Sequence, residues 1–229
     1  LIYDTMQSVI PAMFPLLERD MGLTYTQLGL ISFTLNMFAS VLQPVVGAVT
    51  DKKPMPFALP IGMVSSFIGL TMLILAPNYP LILVSVLFLG LGSAVFHPEG
   101  SRVSFMAAGN KRGLAQSIYQ VGGNSGQALA PLISAFLILP FGMYGASVVL
   151  ILTAIGIFML TKIAIWYRKQ LEEEKLSKVK KVLVSSLPPL TKKQVGIALS
   201  LLLVIIFARS FYVTNITNFY VFYLIQEYG

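Results

Sequence analysis

Cysteine is absent from this sequence, histidine and tryptophan occur once each, and charged residues make up only 11% of the chain. No disulfide can form, and one histidine without cysteine leaves too few ligands for a zinc site. The sequence also lacks a HExxH pattern, a GxSxG elbow and a nucleophile with an orienting base and acid. We therefore expect no metal, no cofactor and no enzymatic activity.

Long hydrophobic runs, in contrast, are abundant. Hydrophobic residues make up 56% of the 229 residues, and the mean hydropathy is +0.79, more than a soluble domain carries without large exposed apolar patches. Runs of about 20 apolar residues match the thickness of a bilayer and indicate helices rather than the short alternating strands of a barrel. We predict an all-α polytopic membrane protein with seven spans: Leu1–Leu17, Tyr25–Val49, Phe57–Ala76, Leu81–Ala108, Leu114–Ile138, Gly145–Ile165 and Val195–Ile225.

The net charge of +7 resides in the gaps between the spans, and every second gap is basic. Lys52 and Lys53 follow the second span, Lys111 and Arg112 follow the fourth, and a longer basic segment precedes the seventh. The protein is predicted to lie in the cell (inner) membrane. By the positive-inside rule, its amino terminus and residues 166–193 are predicted to be on the cytoplasmic side. Such charges suit anionic lipid headgroups, so we expect no nucleic-acid partner.

The chain is predicted to hold one bundle and the beginning of another. Residues 1–165 contain six spans, residues 166–193 form a basic linker with Pro188 and Pro189, and residues 194–229 contain the seventh span. The sequence begins inside an apolar run and stops soon after the seventh span, so we expect further chain at both ends. Two six-helix bundles related by an axis along the membrane normal would make about twelve spans.

The first and seventh spans align as an internal repeat. Matching residues 17–22 with 224–229 superposes an acidic residue and a closing glycine, and it places Asp4 opposite Phe211, two residues after Arg209. Each span then buries one charge at a similar depth, and the two charges would face the same central space. Because short apolar strings match easily, coincidence is the alternative.

Ionisable residues cluster late in the fourth span, at His97, Glu99 and Arg102. A charge at the centre of a bilayer costs about 3 kcal/mol, so the cluster indicates a polar cavity. Pro98 is expected to kink the helix and to turn His97 and Glu99 away from lipid. We interpret His97 and Glu99 as cavity-lining and Arg102 as a structural latch with Asp51. A hydrogen-bonded core imidazole is the alternative for His97.

The fifth span carries two stripes. Small residues recur every four positions: Gly122, Gly126, Ala130 and Ser134. Amides recur at the same spacing, displaced by two residues or about 200° around the helix: Gln116, Gln120 and Asn124. The pattern predicts one face that packs closely on another helix and one polar face. An ordinary packing seam is the alternative explanation of the glycines.

Several strings resemble the major facilitator superfamily of transporters. Gly47AlaValThrAsp51, followed by Lys52 and Lys53, is similar to the family's loop signature, although Pro54, Met55 and Pro56 replace the usual residues after it. Four strings resemble the fosmidomycin resistance branch: Phe96HisProGlu99, Ser101ArgVal, Gly113LeuAlaGlnSer117 and Gln120ValGlyGlyAsn124. The segment from Gly126 to Pro131 resembles the antiporter motif of drug exporters, with Ala130 where a glycine is usual.

The resemblance implies a secondary transporter whose two bundles rock about a midplane site, exporting a small anionic or amphiphilic drug such as fosmidomycin against protons. We expect a monomer in the lipid bilayer. Asp4 or Glu99 is the candidate proton carrier, and Arg209, with His97, is the candidate receptor for an anionic group. Further candidates for substrate binding are Gln7, Asn36, Gln120, Asn124 and Tyr212. The structural and gating candidates are Gly47, Asp51, Lys52, Pro98, Arg102, Gly122, Gly126 and Pro131.

Three alternatives stay open at this point. Asp4 and Arg209 would have no transport role if they simply neutralise one another. A seven-helix receptor or sensor matches the span count, but the seventh span has Arg209 and no lysine for a retinal Schiff base. An uptake symporter of the same fold would differ from an exporter in the direction of coupling.

Overall fold

The computed structural model describes residues 1–109, 111–178 and 191–228, and the chain divides into two compact units, Leu1–Lys178 and Val179–Gly229. The regular structure of the described residues is helical, and no strand occurs among them. In chain order the α-helices are α1 (Ile2–Ala12), α2 (Phe14–Met21), α3 (Tyr25–Lys52), α4 (Ala58–Ile74), α5 (Tyr79–Ala107), α6 (Arg112–Ile133), α7 (Leu139–Phe141), α8 (Ser147–Lys178) and α9 (Lys192–Tyr228). The predicted all-α class is confirmed.

The first predicted span is two helices rather than one. Helix α1 ends at Ala12 and α2 begins at Phe14, with the break at Met13. Pro11 and Pro15 flank this break, and neither has an amide hydrogen to donate to the preceding turn. The predicted span from Leu1 to Leu17 is thus divided into two helices, because each proline removes one of the hydrogen bonds that would join consecutive turns.

The fifth and sixth spans are joined by a tight reversal. After α6, residues Ser134–Ile138 form a π-helix and Gly142–Ala146 a 3-10 helix, with Gly142 at a φ of 66°. A Cβ atom placed on Gly145 would collide with the carbonyl oxygen of Leu137. Eight residues along a straight helix would separate these positions by about 12 Å, so the chain folds back here.

The helix of the sixth predicted span reaches into the predicted linker. Helix α8 continues to Lys178, well beyond the predicted end at Ile165, so the first part of the predicted linker is helical. Arg168 donates a hydrogen bond of 3.1 Å to Glu172 one turn later, a pair that supports an exposed helix. Hydropathy falls where these charges begin, but good helix formers continue the helix. Residues 179–190 of the linker, including Pro188 and Pro189, lie outside the described residues, and its last two residues begin α9.

Three helical stretches within the described residues have the length and composition to cross a bilayer: Tyr25–Lys52, Tyr79–Ala107 and Arg112–Glu173. The last of them contains both α6 and α8. Ala58–Ile74 is a shorter apolar helix. Large apolar side chains are exposed on the outside of the first unit, including Phe33, Phe136, Ile151 and Phe158. Such a surface is suited to contact with lipid.

Helix α1 lies in the core of the first unit and packs against α6. The side chains of Met6, Val9 and Ile10 are fully buried. Gly126 and Ala130 of α6 are also buried, and the Ser134 hydroxyl donates a 2.8 Å hydrogen bond to the carbonyl of Ala12. The small-residue stripe of the fifth span is therefore the face that packs, as predicted.

The glycine of such a loop signature is expected to permit close approach of another helix, but Gly47 shows none among the described residues. Among the described residues, no atom lies within 4 Å of a Cβ placed at this position. The close approach occurs instead between α4 and α5, where a Cβ on Gly69 would lie 2.7 Å from the carbonyl oxygen of Ser85. The helix contact assigned to Gly47 is thus not present in this part of the chain.

Replacing Gly126 with alanine should weaken the α1–α6 contact. The added Cβ would collide with the carbonyl oxygen of Leu1 and lie 3.0 Å from the backbone nitrogen of Thr5. We expect Gly126→Ala to lower the free energy of unfolding by about 1–3 kcal/mol. Gly122→Ala is the matched control, because its Cβ would be 3.8 Å from its nearest neighbour. Thermal unfolding in detergent measures both, and equal midpoints for the two variants would contradict this packing.

Candidate functional site

A polar pocket of about 210 Å³ lies within the first unit, between α1, α3, α5 and α6. Its lining residues are Asp4, Gln7, Ser8, Ile10, Pro11, Ser32, Leu35, Asn36, His97 and Gln127. Four of the residues predicted to form a site come together here: Asp4, Gln7, Asn36 and His97. Asn36, His97 and Gln127 all lie well inside long apolar helices, so the pocket is at membrane depth rather than at a helix end.

Helix α1 supplies the acid of the pocket. The Asp4 side chain is 14% exposed, and its Oδ2 lies 3.6 Å from the backbone nitrogen of Leu1. Gly123 of α6 lies beside it, since a Cβ there would be 3.5 Å from Asp4 Oδ1. One turn after Asp4, the Gln7 Oε1 atom accepts a 3.3 Å hydrogen bond from the Ser93 hydroxyl. Because its oxygen is engaged, the Gln7 side chain offers its NH₂ group to the pocket as a hydrogen-bond donor.

Aromatic rings fix the position of His97. The Tyr3 ring stacks on Phe96 at a centroid distance of 4.0 Å, and His97 meets the two rings edge-on at 5.8 and 6.0 Å. Tyr3 is 1% exposed, and its hydroxyl shares a 3.3 Å hydrogen bond with Ser66. The imidazole therefore rests against two rings that connect α1 to α5, an arrangement that sequence reasoning missed.

Ser8, Ser32 and Gln127 also line the pocket and were not predicted. Each lies three or four residues from a predicted polar residue on its own helix: Ser8 from Asp4, Ser32 from Asn36, and Gln127 from Asn124. Extending the polar faces by one turn in either direction would have found all three. The Asn36 amide nitrogen donates a 2.8 Å hydrogen bond to the Ser32 carbonyl, which leaves its Oδ1 as an acceptor.

Two prolines add backbone acceptors at the pocket. Pro11 and Pro131 lie inside α1 and α6, four residues after Gln7 and Gln127. A proline has no amide hydrogen, so neither carbonyl receives the usual helical hydrogen bond from that position. Pro98 likewise leaves the Ala94 carbonyl without its helical hydrogen bond, but Ala94 does not line the pocket. Helix α5 continues as one helix through Pro98.

Glu99 does not line the pocket, contrary to the prediction. Residues two apart on a helix point about 200° away from each other, so His97 and Glu99 face different neighbours. Glu99 is 1% exposed, and its Oε1 atom accepts a 3.2 Å hydrogen bond from Arg102. Its Oε2 atom has no hydrogen-bond partner among the described residues.

Arg102 links the carboxyl-terminal parts of α3 and α5. These helix ends were predicted to lie on the cytoplasmic side. Its guanidinium forms an ion pair with Asp51 and donates to the carbonyl of Thr50, in addition to its bond with Glu99. The pairing of Arg102 with Asp51 agrees with the predicted latch. Glu99 belongs to this latch rather than to the pocket, and Lys52 lies exposed beside it.

The remaining candidates lie apart from the pocket lining. Gln120 and Asn124 are exposed on α6, on the side opposite the packed small residues. The third amide of that stripe, Gln116, accepts a 3.3 Å hydrogen bond from the Ser101 hydroxyl. Arg209 and Tyr212 lie on α9 in the second unit, where both side chains are exposed.

Three helical stretches long enough to cross a bilayer, with a polar pocket among the helices of the first unit, are typical of a multi-pass membrane protein with a ligand pathway. The family model of the Major Facilitator Superfamily matches residues 1–229, and the chain belongs to that family. Its relatives are transporters and not enzymes.

Curated relatives agree with this assignment. The chain is 54% identical over 230 residues to the uncharacterized MFS-type transporter YfnC of Bacillus subtilis (strain 168), a match that covers 100% of this chain and 56% of the relative. It is 43% identical over 229 residues to the fosmidomycin resistance protein of Escherichia coli (strain K12), covering 100% and 55%. The chain spans about half the length of these relatives. No solved structure gives a significant match.

Substitutions in the latch should lower the free energy of unfolding by different amounts. Arg102→Gln leaves the buried Glu99 carboxylate without its cation, and loss of one partner of a buried pair costs about 3–5 kcal/mol of unfolding free energy. Asp51→Asn should cost no more than about 1 kcal/mol, because that side chain is 75% exposed. Unfolding of the purified protein in detergent measures both.

A second substitution checks the physical reason for that difference. Adding Glu99→Gln to Arg102→Gln removes the unpaired charge and should recover part of the lost stability. If Arg102→Gln is no more destabilising than Asp51→Asn, Glu99 does not depend on Arg102.

Proposed function

We propose that this chain forms the first six-helix half, and the first helix of the second half, of a proton-coupled transporter that exports a small anionic or amphiphilic drug such as fosmidomycin. The observation that carries this proposal is the polar pocket containing Asp4 and His97 among membrane-length helices. Ionisable groups at that depth are costly and mark substrate or proton pathways. The name of the Escherichia coli relative supports the choice of drug.

Asp4 is the proposed carrier of the coupled proton. It is the acidic side chain of the pocket, whereas the other candidate, Glu99, is occupied by Arg102 outside it. His97 faces the same pocket and is the proposed relay partner of Asp4. An imidazole and a carboxylate in one cavity can exchange a proton directly or through one water molecule.

Transport requires the pocket to open to each side of the membrane in turn. A bound proton or drug shifts that balance only if it binds the two open states with different affinity. The latch of Asp51, Glu99 and Arg102 ties α3 to α5, and we propose that it stabilises one of those states. Gly126 and Pro131 give α6 a close contact with α1 and a break in its hydrogen bonding, which suit a helix that moves with the pocket.

The membrane orientation and the further binding residues belong to the same proposal. Residues 166–193 and the amino terminus are assigned to the cytoplasmic side of the inner membrane, and the transporter acts as a monomer. Arg209 and Tyr212 are proposed for an anionic group on the sequence argument, and Gln120 and Asn124 for polar contacts with the drug along the exposed side of α6. An uptake symporter is the second candidate, since the same pocket serves either direction.

Asp4→Asn should abolish pH-driven export while leaving exchange of drug for drug. The amide keeps the shape and hydrogen bonding of the side chain but cannot carry the proton, so the expected loss of gradient-driven flux is at least about tenfold. The measurement is efflux of labelled fosmidomycin from vesicles holding the full-length protein, with and without an imposed pH gradient.

Two control variants sharpen this experiment. Asp20→Asn changes an exposed carboxylate paired with Arg19, and Glu99→Gln changes the carboxylate of the latch. We expect both to retain a response to the pH gradient. The proton assignment is contradicted if Asp4→Asn keeps that response, or if Glu99→Gln alone loses it. Drug movement in the same direction as the protons, rather than in the opposite direction, would favour the symporter.

A further inference from the structure

We infer that the pocket binds a neutral hydrogen-bonding group of the substrate, an amide or N-hydroxyamide that presents a donor to Asp4, and that the anionic group binds elsewhere. The inference rests on the proposed function and specifies which part of the drug enters this pocket. Three features support it: the charges of the pocket, its hydrogen-bonding groups and the direction of coupling.

The charges of the pocket are unsuited to an anion. Its lining, as far as the described residues show it, has one carboxylate at Asp4 on α1, one imidazole at His97 on α5, and no lysine or arginine. Helices α3 and α6 contribute amides and a hydroxyl. The hydroxyls of Tyr3 on α1 and Tyr119 on α6 also interact with Asp4, and neither adds a positive charge. Even an imidazolium at His97 only balances Asp4, so the lining offers no surplus positive charge for a phosphonate.

The hydrogen-bonding groups of the pocket suit an amide. The acceptors are the Asp4 carboxylate, Asn36 Oδ1, and the backbone carbonyls of Gln7 and Gln127 that lack a proline amide partner. The donors are the side-chain NH₂ groups of Gln7 and Gln127 and the hydroxyls of Ser8 and Ser32. A neutral ligand group that has both a donor and an acceptor can satisfy both sets, whereas a phosphonate offers only acceptors as its dianion and a single P–OH donor beside a negative charge as its monoanion.

The direction of coupling favours the same group. In an exporter that exchanges drug for protons, protonation of the pocket must weaken drug binding, and the effect is reciprocal. A donor on the drug binds an ionised Asp4 more strongly than a protonated one, because a hydrogen bond to a charged acceptor is stronger. An anion has the opposite preference, since protonation of Asp4 removes its repulsion. A donor at Asp4 therefore gives exchange, and an anion there would give symport.

Two fragments of fosmidomycin separate the groups: N-propyl-N-hydroxyformamide is neutral, and propylphosphonate is the anion. Each is tested as an inhibitor of labelled-fosmidomycin counterflow in vesicles containing the full-length protein. The variants are Gln127→Leu and Asn36→Leu in the pocket. Gln116→Leu, on the same helix as Gln127 but bonded to Ser101 outside the pocket, is the matched control. Counterflow needs no proton gradient, so it reports binding and exchange alone.

Gln127→Leu should raise the half-inhibitory concentration of the neutral fragment about tenfold and leave that of propylphosphonate unchanged. Asn36→Leu should act in the same direction if Gln127→Leu fails to reach the membrane. The Gln116→Leu control should match wild type with both fragments. Acidification from neutral pH should weaken the neutral fragment in wild type, and Asp4→Asn should remove that dependence.

The inference is overturned if the pocket variants weaken propylphosphonate and spare the neutral fragment, or if acid strengthens the neutral fragment in wild type. Wild-type vesicles that export fosmidomycin but give either of these results keep the proposed function and reject the inference. Wild-type vesicles that show no counterflow of fosmidomycin reject the proposed function, and the inference falls with it.

Discussion

The need to satisfy polar groups inside a bilayer governs this structure. Lipid offers neither hydrogen bonds nor counter-ions, so an ionisable side chain at membrane depth requires protein partners or a water-filled cavity. The chain meets that need in two separate places. Glu99 is buried and bonded to Arg102, whereas Asp4 faces the pocket that His97 and Gln127 also line. The first carboxylate stabilises a contact between helices, and the second is accessible to a ligand.

The same residues that position the pocket also weaken the helices around it. Pro11 and Pro131 interrupt the hydrogen bonding of α1 and α6 beside the polar side chains, while Gly126 brings these helices into close contact. Close packing fixes the relative position of the helices, and missing backbone bonds leave acceptors for a substrate. Broken helices at a central site are typical of transporters, where irregular backbone is tolerated only if it lines a cavity.

Sequence reasoning predicted what depends on one helix at a time. Hydropathy located the helices, and polar residues inside apolar runs gave Asp4 and Gln7 as site candidates, because both are properties of a single segment. It failed where the answer depends on which faces meet. His97 and Glu99 are two residues apart and belong to different sites, and the contact of Tyr3 with His97 joins residues far apart in sequence. Charge spacing alone does not reveal such contacts, although the helical period excludes a common face for residues two apart.

Thiol labelling measures whether water reaches the pocket, and no cysteine among these 229 residues competes for the reagent. Gln127→Cys places a thiol in the pocket, and Phe158→Cys places one on the exposed apolar surface of α8. A thiol reacts as its thiolate, which requires water. A water-soluble methanethiosulfonate should modify Gln127→Cys rapidly in membranes, more slowly with fosmidomycin present, and leave Phe158→Cys unmodified. Equal labelling of the two positions, or none at Gln127→Cys, would contradict the account.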